Sequence, residues 1–83
     1  MTFTDVLDDL VDAVKRGGNA NRWLGEAYCS WYRGTSEINL HGFGSLDAKN
    51  RKLFIEMLQL RHYPGWSDEA LYVYEQTIKE ILA

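Results

Sequence analysis

The sequence predicts an all-α protein: a compact bundle or orthogonal array of four helices, in a single helical domain over residues 1–83. Three observations carry this expectation. Apolar residues recur at spacings of three and four in four separate stretches, the signature of an amphipathic helix. Each stretch opens near Ser, Thr, Asp or Asn, and most close at Gly or Pro. The connections between them are short, which favours antiparallel neighbours. The chain is 46% hydrophobic and 13% aromatic, too apolar for disorder, and its large rings supply core volume that a chain of 83 residues otherwise lacks.

In the first helix, Thr2 or Thr4 supplies the cap and Asp5 suits the positive end of the helix dipole. Phe3, Leu7, Leu10, Val11 and Val14 make its apolar face, and Lys15-Arg16-Gly17-Gly18 ends it with cations followed by glycine. Asn19 or Asn21 caps the second helix, which runs to about Arg33 and stops at Gly34. At about 100° per residue, Ala20, Trp23, Leu24, Ala27 and Trp31 form one stripe, and the pair Trp23 and Trp31 is expected at the centre of the core. The opposite face carries Gly25, Cys29 and Tyr32; the small pair Gly25 and Cys29 leaves room for a neighbouring backbone.

Glu37 to Gly44 reads as an ordered loop between helices two and three, with Ile38, Leu40 and Phe43 plugging into the core and a minimal hairpin as the alternative. Ser45 or Asp47 starts the third helix, to about Arg61, with Leu53, Phe54, Met57, Leu58 and Leu60 buried. Pro64 marks the next break, because the residue before proline avoids helical angles. Ser67 then caps the fourth helix, Trp66 staples onto Leu71, and Leu71, Tyr74, Ile78, Ile81 and Leu82 form its core stripe.

Charge is unevenly distributed around a net value of −3. Asp5, Asp8, Asp9 and Asp12 give residues 1–14 a net charge of −4, residues 15–61 carry +4, and residues 62–83 carry −3. Acidic ends flanking a basic middle favour end helices that lie across the middle ones. The overall sign gives no global case for nucleic acid or for an anionic membrane. No stretch approaches the ~20 apolar residues of a membrane span, and the N-terminus has no secretory signature. Cys29 is the only cysteine, so no internal disulfide forms and a reducing, cytoplasmic location is expected.

Few residues suggest chemistry. His41, His62 and Cys29 fall on different elements without metal-ligand spacing, so no metal site is assigned. Cys29 lies in an apolar helix with no adjacent base, and Gly44-Ser45-Leu46 lacks the second glycine of a nucleophile elbow. Gly42-Phe43-Gly44 has neither the strand nor the lysine of a phosphate loop. No catalytic residue and no cofactor is assigned, and the expected class is non-enzymatic.

Surface features remain. Asp5, Asp8, Asp9 and Asp12 follow the pattern i, i+3, i+4, i+7 and form an acidic ridge opposite the apolar face of the first helix. Like charges at that spacing repel, which favours a basic partner surface, of the kind that holds phosphates. Tyr32 and Tyr72 point away from the core stripes, and such tyrosines are favoured at interfaces. These six residues are the candidate contacts with a larger protein or nucleoprotein complex. The alternatives are a small nucleic-acid-binding regulator using Lys49, Arg51 and Lys52 at the start of the third helix, and a homo-oligomeric module, such as a homodimer, whose leftover apolar surface pairs with itself.

Residues 20–65 also resemble a known group of proteins. The similar features are Leu24-Gly25-Glu26-Ala27 leading into Trp31-Tyr32-Arg33-Gly34, then Ile38-Asn39-Leu40, Leu46-Asp47, Met57-Leu58 and Tyr63-Pro64. Together they resemble a family of small uncharacterised helical proteins carried by phages, plasmids and integrated elements of Gram-negative bacteria. This chain has Arg33 where that family typically has Asn, and Asn39 where it has Asp. The resemblance brings no catalytic residues. It implies a helical, non-enzymatic accessory protein, and by analogy of class an inhibitor of a bacterial defence complex such as a CRISPR effector.

Overall fold

The computed structural model describes residues 1–83 and contains four α-helices and no strands. They are α1 (Phe3–Arg16), α2 (Asn19–Arg33), α3 (Ala48–Leu58) and α4 (Asp68–Leu82). A 3₁₀ segment, Leu40–Ser45, occupies the loop between α2 and α3, and a second, Leu60–His62, follows α3. The predicted helical architecture is therefore present. The segment read as an ordered loop is helical in its second half, with no hairpin.

Helix α1 begins where its sequence says it should. The Thr2 hydroxyl accepts the Asp5 amide at 3.2 Å, and the Asp5 carboxylate accepts the Thr2 amide at 2.9 Å. This reciprocal box satisfies two amides that a helix start leaves unpaired. Gly17 and Gly18, both at positive φ (77° and 90°), reverse the chain directly into α2. No side chain caps α2. Asn19 is its first residue, and the Asn21 amide group instead donates to the Gly17 carbonyl at 2.8 Å.

The core face of α2 differs from the tryptophan stripe. Its buried residues are Leu24, Gly25, Ala27, Tyr28, Cys29 and Tyr32, whereas Trp23 and Trp31 are only half-buried. The helix is thus rotated by roughly a quarter turn from the predicted orientation. The reason is close approach. A Cβ on Gly25 would stand 2.9 Å from Val14 Cγ2 and 3.3 Å from Ile78 Cγ2, so α1 and α4 meet α2 where its side chains are small. Tyr28 fills the centre, fully buried, and its hydroxyl donates to the Leu71 carbonyl at 2.6 Å.

The two indoles work at the rim. Trp23 donates from Nε1 to the Asn39 carbonyl at 2.9 Å, and its ring lies 5.3 Å from Phe54. It clamps the Leu40–Ser45 segment so tightly that a Cβ on Gly42 would overlap the ring. Trp31 lies under the guanidinium of Arg61, 4.5 Å from its ring centre, while Arg61 also donates to the Tyr32 carbonyl at 2.9 Å. Each indole therefore fastens a connecting segment to α2.

Other corrections are local. Ile38 and Phe43 pack against the core, but Leu40 is exposed. Helix α3 ends at Leu58 rather than near Arg61, and Leu58 is exposed rather than buried. Trp66, predicted to staple onto Leu71, is 44% exposed.

Helices α1 and α2 form the central pair, and α3 and α4 each pack on that pair rather than on one another. The acidic ends thus lie across basic α2, and α1 also meets α3, but α4 does not cross α3. Tyr28 meets Leu71 and Arg22 donates to the Leu82 carbonyl, so α2 and α4 run antiparallel. The radius of gyration, 11.5 Å, matches the ~12 Å expected of one compact body of this length.

Candidate protein-interaction surface

The acidic ridge of α1 exists, but its members have different surroundings. Asp5 is engaged in the helix cap, and its hydrogen bonds from the Thr2 amide and hydroxyl hold its carboxyl below the usual value. Asp8 accepts the Tyr74 hydroxyl at 2.6 Å across the α1–α4 contact. That bond, with partial burial and the nearby negative charge, pushes the Tyr74 phenol up to about 12. Asp9 and Asp12 have no salt-bridge partner.

Two depressions flank the ridge. Between α1 and α3 lies a cleft of about 260 Å³ with Asp9, Asp12 and Arg16 on one wall and Lys49, Lys52 and Glu56 on the other. Between α1 and α4 lies a more open groove with Asp8, Asp12 and Lys15 facing Val73, Tyr74 and Thr77. Asp12 borders both. The ridge is therefore an edge with relief on each side, a shape that no spacing rule along α1 alone would reveal.

The two tyrosines separate. Tyr32 is not outside the core: it is 8% exposed and its ring stacks on Tyr28 at 6.2 Å, so it is corrected from contact residue to core residue. Tyr72 is exposed as expected, beneath the guanidinium of Arg33 at 5.4 Å. It occupies the flank of α4 opposite Tyr74, because positions two apart on a helix are separated by roughly 160°. Tyr72 and Asp8 thus belong to different sides of the molecule.

The basic candidates also divide. Lys49 and Lys52 face the acidic wall of the α1–α3 cleft. Arg51 is tied to the Leu46 carbonyl at 3.2 Å and does not line that cleft. A cationic face diluted in this way offers phosphates a weaker purchase than the sequence pattern suggests.

Comparison with protein-family models, curated proteins and solved structures found no match.

One polar cluster escaped the sequence reading. Glu75 is 0% exposed, and both carboxylate oxygens are engaged by Arg33 Nε at 2.9 and 3.1 Å. Arg33 Nη2 adds a contact at 2.9 Å, and the Thr35 hydroxyl donates at 2.8 Å. The available signal was angular: Glu75 sits four residues after Leu71 and three before Ile78, in the middle of the buried stripe of α4. Its partner lies 42 positions away, so only the fold unites them.

Cys29 is fully buried beside this cluster. Burial, with the negative charge of Glu75, pushes its thiol pKa up and favours the unreactive protonated form. His41 and His62 remain on separate segments, and no group of three or more His, Cys, Asp or Glu side chains is placed to hold a metal ion.

Proposed function

We propose that this chain is a non-enzymatic protein-binding module whose acidic α1 edge docks on a basic surface of a larger protein or nucleoprotein complex. The observation that carries the reading is the pair Asp9 and Asp12, uncompensated by any ion pair, both lining the α1–α3 cleft, with Asp12 also bordering the groove between α1 and α4. An exposed carboxylate edge complements a surface that ordinarily holds phosphates, and such complementarity speeds encounter and selects partners. The resemblance of residues 20–65 to small proteins of phages, plasmids and integrated elements extends the proposal. In that reading the chain is a cytoplasmic accessory protein that occludes part of a bacterial defence complex such as a CRISPR effector. Burial of the lone thiol supports a binding role over a catalytic one.

The test is capture from bacterial lysate by the tagged chain, compared with Asp8→Lys/Asp12→Lys, each bound fraction read by mass spectrometry. Under this proposal the wild type retains a nucleic-acid-handling complex that the variant loses, while both melt cooperatively. Equal capture by both would eliminate the ridge. A salt titration with duplex DNA addresses the nucleic-acid alternative, because phosphate contacts make affinity fall steeply with salt.

A further inference from the structure

The outer face of α3 is apolar and cationic at once. At about 100° per residue, Arg51, Lys52 and Ile55 lie away from the buried Asn50, Leu53, Phe54 and Met57, with Leu58 on the flank. Ile55 is 49% exposed and Leu58 45%. The elements that meet α3, namely α1, α2, the segment that follows it and Phe43 of the Leu40–Ser45 segment, leave Ile55 and Leu58 open to solvent. The groove between α1 and α4 has the opposite character: Val73 is 52% exposed on one side, and Asp8 and Asp12 line the other.

We propose that these two surfaces recognise each other in different copies of the chain. Ile55 and Leu58 of one copy cover Val73 of the next, and Arg51 and Lys52 meet Asp8 and Asp12. A second copy is the occupant favoured here because the chain itself supplies both halves, matched in charge and in apolar content. Lys15, one turn beyond Asp12 in the same groove, repels the incoming cations and so biases them towards Asp8. The two faces differ, so the contact is head-to-tail, and each added copy presents a fresh groove until a ring closes. Self-association occupies the acidic edge assigned to a foreign partner, so the two modes compete; neither requires the other.

Sedimentation of the full chain over a micromolar-to-millimolar range tests this without any partner. The expected result is an average mass that rises with concentration and falls with added salt, since exposed pairs are screened. Asp8→Lys/Asp12→Lys and Arg51→Glu/Lys52→Glu should each weaken self-association by about tenfold or more, because like charges are then juxtaposed. A mixture of the two variants should recover association in alternating copies, because the intact α3 face meets the intact groove and the two charge-reversed faces are complementary to each other. A wild type that stays monomeric throughout overturns the proposal. So does association that is insensitive to salt, either variant associating like the wild type, or a mixture that remains monomeric. The salt series needs no substitution, so the outcome stands even where a variant folds poorly. The α3 variant leaves the acidic edge intact, so failure here is distinguishable from failure of partner capture.

Discussion

Glu75 shows how much a single side chain depends on partners remote in sequence. Its carboxylate has lost all contact with water and is held by Arg33 and Thr35, with Lys79 Nζ 3.8 Å away. Arg33 is itself 47% exposed, but removing it leaves the buried carboxylate with only Thr35 and the more distant Lys79, whereas replacing both members of such a pair with apolar groups is often neutral. Arg33→Ala should therefore cost about 3 kcal/mol in urea unfolding, and Arg33→Met with Glu75→Leu should regain most of that loss. Tyr74 makes a second residue-level prediction. Its phenol is raised to about 12 from an ordinary 10.0, so the fold favours the neutral form. The resulting stabilisation is fully present below pH 10 and is lost as pH rises through about 12. Denaturation midpoints should fall across that alkaline window, and Tyr74→Phe should flatten part of the slope.

Among the elements, the loop clamp is the most exposed to a small change. Gly42→Ala places a methyl group inside the ring of Trp23 and should destabilise by about 1–3 kcal/mol, with a red-shifted indole emission as Trp23 loses its seat. Legibility differed from helix to helix for physical reasons. Helix α1 has one apolar face, a capping threonine and a terminal glycine, all pointing to the same boundaries, and the structure follows them. Helix α2 offers two competing faces. The larger indoles draw attention to one, but the tight junction with α1 and α4 needs Gly25, and the indoles reach inward from the flank. The end of α3 is equally hard to place, since Leu58 and Leu60 continue the apolar pattern while the backbone tightens into the 3₁₀ segment Leu60–His62.

For the whole molecule, the acidic ridge was visible in the spacing of its aspartates, but the depressions beside it belong to the packing of α1 against α3 and α4. The central position of α2 has a further consequence. Cys29 lies fully buried on the face of α2 that packs into the core, so a thiol reagent reaches it only during excursions that expose that face. The chain thereby carries its own clock for breathing. Labelling under native conditions should run far slower than for an unshielded thiol, and its dependence on urea should match that of complete unfolding. A shallower dependence would mean that one helix swings away by itself, and the single sulfur atom would report how often.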